Sequence, residues 1–196
     1  MTLVLATKNE DKKKELLSLL ADTQWDIVTL NDFPDMPDVI EDADTFEGNA
    51  IKKAKETSLH TGLIALGDDS GLMVDALNGA PGVYSARYSG EDATYQSNRD
   101  LLLKNMEGIV FEERQAQFLC YMALVKGEEV LSLVNGVCEG LIAEKYQGSK
   151  GFGYDPLFYV PSEHKTFAAM RSQDKNAISH RGKALQQIKV FINKRF

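Results

Sequence analysis

Two neighbouring carboxylates and a hydroxyl, Asp68-Asp69-Ser70, directly follow a short apolar run that predicts a buried strand. In an open α/β sheet, the ends of such strands line the ligand crevice. A further acidic residue, Glu41, lies at the end of another predicted loop. Because magnesium is typically held by one or two carboxylates together with water and phosphate oxygens, Glu41 and Asp69 are candidate ligands for this ion. An ordinary polar turn is the alternative interpretation.

The segment Thr7-Lys8-Asn9-Glu10-Asp11-Lys12 lies where the first predicted strand ends and the first predicted helix begins. Free backbone N–H groups and the helix dipole favour a phosphate at such a junction. The sequence contains no Walker A pattern, and a helix cap followed by solvated lysines is the alternative. On the next predicted helix, Lys52, Lys53 and Lys55 cannot share one face, and their spacing does not select which one faces a phosphate.

A glycine-rich loop at residues 148–156 contains Phe152, Gly153, Tyr154 and Asp155. An aromatic ring on such a loop suits stacking on a flat base, with a carboxylate as hydrogen-bond acceptor. The alternative is a hydrophobic anchor in a surface loop.

Three donors, Lys175, His180 and Arg181, lie at or just before the start of the last predicted helix. Cations at a helix N-terminus are opposed by the dipole unless something anionic or strongly accepting is bound there. This conflict indicates a ligand site rich in acceptors.

The elements that must position these residues follow from hydrophobic periodicity and turn residues. The patterns predict strands at residues 3–6, 26–30, 63–67, 72–76, 116–125 and 130–137, the last two forming a hairpin. They predict helices at residues 11–21, 45–59, 95–106 and 180–194. Asp44 and Glu47 are spaced as a capping box for the second helix, Gly62 is placed to stop it, and Thr94 and Ser179 are expected to cap the last two. The fold class is mixed α/β in a single domain, residues 1–196.

Composition limits the possible functions. The chain has 196 residues, with 43% hydrophobic and 26% charged residues, which are ordinary values for one globular domain. A net charge of −7 argues against a general nucleic-acid binder. The sequence lacks an apolar run long enough for a membrane span and an N-terminal export signal, so we expect a cytoplasmic protein without membrane contact. We expect Cys120 and Cys138 to remain reduced core thiols.

Taken together, these segments resemble the inosine triphosphate pyrophosphatase family, which includes the dITP/XTP pyrophosphatases. The resemblance covers residues 3–185 and rests on six blocks in the family's order. These blocks are residues 6–12, 45–54, 68–72, 79–88, 151–156 and 175–182. One departure is Asp11, at a position where the family usually has glycine.

The resemblance implies an elongated mixed sheet flanked by helices, two lobes around a central active-site cleft, and a homodimer. It implies that Glu41 and Asp69 hold Mg²⁺ and that Asp69 is also the catalytic base. Ser70 would contact the substrate, and Phe152 would stack on the purine. Phosphates would be bound by Thr7, Lys8, Asn9, Glu10, Asp11, Lys12 and Lys53. The nucleoside pocket would be completed by Gly153, Tyr154, Asp155, Lys175, His180 and Arg181.

The implied reaction is hydrolysis of ITP, dITP or XTP to the monophosphate and pyrophosphate, by attack of water on the α-phosphorus. The sequence leaves open whether Asp69 or a hydroxide on the metal takes part as the base. The alternative enzymatic function is a phosphatase or pyrophosphatase for other nucleotides. A nucleotide sensor without turnover is disfavoured by the presence of both Glu41 and Asp69.

Overall fold

The computed structural model describes residues 2–195, and this part of the chain forms an α/β fold with one mixed sheet of seven strands. The strands are β1 (Thr2–Ala6), β2 (Asp26–Thr29), β3 (Ile64–Val74), β4 (Gln115–Lys126), β5 (Glu129–Ile142), β6 (Phe158–Val160) and β7 (Lys165–Thr166). The helices are α1 (Glu10–Leu20), α2 (Phe46–Thr61), α3 (Tyr95–Asn105), α4 (Ser172–Ile178) and α5 (His180–Arg195). Short 3₁₀ helices occupy Leu30–Asp32, Asp75–Leu77, Gly82–Arg87, Phe111–Glu113, Pro161–Glu163 and Phe167–Ala169.

The strand order is β2-β1-β3-β4-β5-β6-β7. Strand β1 pairs in parallel with β2, where Val4 lies opposite Val28, and with β3, where Leu5 lies opposite Leu66. The pairs β5–β6 and β6–β7 are antiparallel. The predicted mixed α/β class is therefore confirmed.

The fold divides into two compact units, and three strands contribute residues to both. Unit 1 comprises the described residues of Met1–Asp69, Cys120–Gly136 and Arg181–Phe196. Unit 2 comprises Ser70–Leu119 and Val137–His180. Each unit has its own apolar core, because no residue of one core cluster belongs to the other unit's segments.

In unit 1, helices α1 and α5 cover the buried strands β1 and β3. Helix α1 buries Leu16 and Leu20, four residues apart and so on one face. These leucines pack in a cluster with Leu3, Leu66 and Ile188. Strand β1 is buried at Leu3–Ala6, as a central parallel strand must be.

Helix α2 lies very close to β3 in the same unit. A Cβ atom on Gly67 would lie 2.1 Å from the backbone oxygen of Ala50, so only glycine fits there. Ala50 and Ala54, both completely buried, present small side chains to this contact. The two main chains are thus in direct contact one residue before Asp68.

The core of unit 2 is rich in aromatic rings. Phe118 lies 4.6 Å from Phe158 and stacks on Phe167 with an interplanar angle of 10°. Leu72 and Leu102 complete this cluster and are completely buried. Helix α3 begins at the predicted cap, since the Thr94 hydroxyl accepts the N–H of Ser97 at 3.0 Å.

Two local predictions are wrong. The cap of α2 is Thr45, whose hydroxyl accepts the N–H of Gly48 at 3.0 Å, so the helix begins one residue later than an Asp44–Glu47 capping box requires. The stop at Gly62 is confirmed by its φ of 71°. In addition, β3 is one continuous strand, so Asp68 and Asp69 lie in its interior and not at its end. Their carboxylates can be buried within a strand because each forms an ion pair: Asp68 with Lys12 and Arg181, and Asp69 with Lys53.

Candidate active site

In unit 1, strand β3 presents Asp69 to one face of helix α2. The Lys53 ammonium lies 3.1 Å from Asp69 Oδ1, and the Asn49 amide donates to Asp69 Oδ2 at 3.2 Å. Asn49 and Lys53 are four residues apart and therefore share a face of α2. This spacing selects Lys53, which is nearly buried, from the lysines of the helix.

Glu41 lies on the loop before α2 and joins the same cluster. Lys53 Nζ contacts Glu41 Oε2 at 3.0 Å, so one ammonium bridges both carboxylates. Asn49 holds the loop by accepting the N–H of Ala43 at 3.0 Å. The arrangement brings together the two acids that the sequence pointed to.

The two carboxyl groups titrate differently. Burial, reinforced by the negative charge of Glu41, raises the pKa of Asp69 above its usual value. Burial also disfavours ionised Glu41, but the Lys53 charge outweighs it and lowers the pKa of Glu41. Asp69 is therefore the member of the pair that takes up a proton more readily.

The donor set fits a hard divalent cation. The like charges of Glu41 and Asp69 repel each other when both are ionised, and in this structure the ammonium of Lys53, which contacts both carboxylates, relieves part of that repulsion. Magnesium suits a site with two carboxylates that leaves coordination positions for water and phosphate. Among residues 2–195, no three His, Cys, Asp or Glu side chains converge as a complete protein cage. Glu41 and Asp69 are the residues that would hold the ion.

The neighbouring carboxylate, Asp68, makes a different set of contacts in unit 1. Its Oδ1 lies 2.7 Å from Lys12 Nζ, and its Oδ2 accepts from Arg181 Nε at 2.9 Å. Arg181 Nη1 also donates to Glu15 at 2.7 Å, and the Cys120 thiol donates to Asp68 Oδ2 at 3.2 Å. Arg181 is 2% exposed, so this network fixes α5 to α1 and β3.

The predicted phosphate segment forms the start of α1. The Asn9 side chain caps the helix by accepting the N–H groups of Asp11 and Lys12, each at 3.0 Å. The Thr7 hydroxyl accepts the N–H of Asn9 at 3.2 Å. Lys8 and Glu10 are exposed, and the Lys8 ammonium contacts Asp38. Lys12 is the cation of this segment nearest the acidic residues of β3. Burial alone would lower its pKa, but Asp68 and Asp69 raise it.

In unit 2, the glycine loop holds Phe152 through Asp155. The Asp155 carboxylate accepts the N–H of Phe152 at 3.0 Å and the ammonium of Lys175 at 2.5 Å. This ammonium lies 5.1 Å from the centre of the Phe152 ring, within cation–π range. A Cβ on Gly151, whose φ is +72°, would lie 1.9 Å from Asp155 Oδ2. The structure therefore brings Phe152, Asp155 and Lys175 together.

The other predicted nucleoside residues occupy different places. Tyr154 is 4% exposed, and its hydroxyl donates to the carbonyl of Ser85 at 2.9 Å. His180 is buried and stacks on Phe118 at 4.6 Å. Ser70 is half-buried on β3.

Sequence reasoning gave no role to several residues that organise the site. Asn49 lies in the block of residues 45–54 that resembles the family. Its spacing of four from Lys53 puts both side chains on one face of the helix, which could have indicated a shared role. Asp68 and Glu15 were detectable only as charges on a buried strand and beside Lys12. Arg99, which contacts the glycine loop from α3, carried no signal in the sequence.

Comparison with known proteins gives a consistent result. The sequence model of the Ham1 family matches residues 3–191. A dITP/XTP pyrophosphatase from Desulforamulus reducens is 47% identical over 99% of this chain and 96% of its own length. Another, from Photobacterium profundum, is 50% identical over 95% of each chain. Both proteins carry the name of the family that the sequence resembled.

Solved structures agree. A HAM1 protein from Coxiella burnetii superposes with a TM-score of 0.90 at 43% identity, covering 99% of both chains. The Staphylococcus aureus Ham1 protein gives a TM-score of 0.88 at 35% identity over the full length of both. This chain belongs to the Ham1 family.

Proposed function

We propose that this chain is a magnesium-dependent pyrophosphatase that converts ITP, dITP and XTP to the nucleoside monophosphate and pyrophosphate. The observation that carries the proposal is the cluster of Glu41, Lys53 and Asp69 in unit 1. The names of the relatives support the same activity. Removal of deaminated purines from the nucleotide pool follows as the physiological role.

The residues of unit 1 would bind the triphosphate end. Glu41 and Asp69 would hold Mg²⁺, which when bound supplies positive charge to the phosphate oxygens. Lys53 lies beside both acids, and Lys12 is close enough to influence the pKa of both. These ammonium groups would stabilise the negative charge that develops on the leaving pyrophosphate. The start of α1, Thr7–Lys12, would contribute further phosphate contacts.

Asp69 is our candidate for the group that accepts the proton of the attacking water. Its raised pKa makes its carboxylate a better proton acceptor than an ordinary aspartate. The Asn49 amide and Lys53 hold both oxygens of this side chain, which fixes its orientation. Ser70, the next residue on β3, would contact the substrate.

The residues of unit 2 would bind the base. Phe152 offers a ring for stacking, and Lys175 offers a donor beside it. Hypoxanthine and xanthine carry an acceptor oxygen at C6, whereas adenine carries an amino donor. An adenine would therefore leave a buried donor unpaired, at a cost of about 1–3 kcal/mol. Gly153, Tyr154, Asp155 and His180 are proposed to complete this recognition. Arg181 belongs to unit 1, where it pairs with Asp68 and Glu15, and its role in substrate binding stays a prediction.

The test is product analysis. Purified protein is incubated with ITP, XTP, ATP and GTP in magnesium, with and without a chelator, and the products are separated by chromatography. We expect IMP and pyrophosphate from ITP, little turnover of ATP and GTP, and none with chelator. Formation of IDP and phosphate, or equal turnover of all four, would instead indicate a general nucleotide hydrolase.

Four further expectations stay predictions. They are a homodimer, a cytoplasmic location, a single domain, and an elongated two-lobed shape with a cleft. Light scattering of the purified protein measures the first. Within residues 2–195, no helix combines the length and apolar character needed to cross a bilayer.

A further inference from the structure

Helix α3 contacts the glycine loop through one arginine. Arg99 Nη1 donates to the carbonyl oxygen of Gly153 at 2.9 Å. Gly153 directly follows Phe152, and its φ of +55° lies in the left-handed region that favours glycine. Arg99 thus bonds to the main chain of the loop at a glycine directly after Phe152.

The guanidinium of Arg99 is itself held in place. Its Nη2 donates to Gln96 Oε1 at 2.9 Å, and its central carbon lies 5.3 Å from the centre of the Tyr146 ring. Gln96 also donates to Asp100 at 2.9 Å, and the Tyr146 hydroxyl contacts the same carboxylate. Because a guanidinium presents its donors in a rigid plane, these contacts fix the direction of the bond to Gly153.

The same helix also contacts the ring of Phe152. The centre of the Tyr95 ring lies 6.0 Å from that of Phe152, with an interplanar angle of 45°. Lys175 and Asp155 hold Phe152 by its ring and its N–H, respectively. Tyr95 and Arg99 lie one turn apart on α3. Through them the helix contacts two successive loop residues, Phe152 and Gly153.

We propose that Arg99 is a positioning residue for base binding. It fixes the Gly153 carbonyl and with it the backbone that presents Phe152 to the purine, without touching the base itself. The inference rests on the proposed function, since Phe152 is assigned there as the stacking ring. A loop that is ordered before binding does not lose conformational entropy when the base arrives, so affinity for the base is higher.

The kinetic test compares Arg99→Ala with the wild type. Loss of one hydrogen bond to a charged donor should raise KM for ITP about three- to tenfold. The value of kcat should change less than about twofold, because the phosphate-binding residues keep their geometry. Inhibition by inorganic triphosphate, which has no base, should be unchanged. Arg99→Lys, which keeps a donor for Gly153 but loses the planar guanidinium, should recover only part of the affinity.

The matched control is Lys104→Ala, which replaces an exposed lysine in the last turn of the same helix. It should leave KM, kcat and inhibition by inorganic triphosphate unchanged.

A readout independent of turnover is hydrogen–deuterium exchange in the peptide that contains residues 152–154. This exchange should become faster in Arg99→Ala only. Unchanged exchange, or an equal loss of affinity for ITP and inorganic triphosphate, would overturn the inference while leaving the activity intact. Failure of the proposed function shows separately, as absence of ITP hydrolysis by the wild type.

Discussion

Asp68 and Asp69 are adjacent on β3, yet their carboxylates form ion pairs with different helices. Asp68 contacts Lys12 of α1 and Arg181 of α5, whereas Asp69 contacts Lys53 of α2. Successive side chains of a strand point to opposite faces, which accounts for the separation. The two neighbours should therefore respond differently to the same substitution.

For Asp69→Asn, we expect loss of catalysis with retention of the fold. The amide cannot accept the water's proton and is a poorer magnesium ligand, so kcat should fall by a factor of about 100 or more. Steady-state kinetics with ITP and a thermal melt measure the two quantities. Asp75→Asn, at an exposed position soon after the same strand, is the control. Near-normal turnover by Asp69→Asn would remove Asp69 from the mechanism.

For Asp68→Asn, we expect loss of stability. Arg181 is buried and would lose its main counter-charge, which typically costs about 3 kcal/mol. Urea unfolding measures the free energy of unfolding of both proteins. Asp22→Asn, which breaks an ion pair between Lys189 and an exposed aspartate, should have a much smaller effect. Equal effects of the two substitutions would contradict a structural role for the buried pair.

The contribution of Asp68 should also depend on pH. Arg181 and Lys12 outweigh the effect of burial and hold the pKa of Asp68 well below its usual value. A lowered folded-state pKa gives stability that is complete above the unfolded value of about 3.9 and is lost as pH falls through the folded value. The difference in unfolding free energy between wild type and Asp68→Asn should be constant from about pH 5 to 7 and shrink below about pH 4. A difference that stayed constant to lower pH would exclude this linkage.

For Glu41→Gln, we expect weaker magnesium binding. Loss of one of two carboxylates should raise the magnesium concentration for half-maximal activity by about tenfold or more. A magnesium titration of ITP hydrolysis measures it. Asp42→Asn is the matched control, because this neighbouring exposed carboxylate pairs with Lys52. If both variants needed the same magnesium concentration as the wild type, Glu41 would not be a ligand.

Local patterns predicted most of the helices and strands because their signals are local. Leu16 and Leu20 mark the buried face of α1, and Thr94 marks the start of α3. The same patterns gave a break in β3 because consecutive acidic residues and a glycine look like a turn. The ion pairs of Asp68 and Asp69 compensate for the burial of both carboxylates within the strand.

The candidate site was predicted in part. The sequence predicts Glu41 and Asp69 as a pair of metal ligands because carboxylates near loop ends suit a metal ion, and the structure brings both into contact with Lys53. The contact between Arg181 and Asp68 had no signal in the sequence, since these residues are far apart in sequence and meet only when α5 packs on β3. The bond from Arg99 to Gly153 escaped prediction for the same reason.

The absence of a side chain at Gly67 determines which parts of the candidate metal site can change. Since the main chain of α2 touches β3 there, the spacing of the two backbones that carry Lys53 and Asp69 is set by main-chain contact. Glu41 lies on an exposed loop, and its position depends on side-chain contacts, since Asn49 holds the loop through the N–H of Ala43. Adaptation of this enzyme to a larger ion would therefore proceed through substitutions in residues 38–44, and a library randomised at position 67 should return glycine.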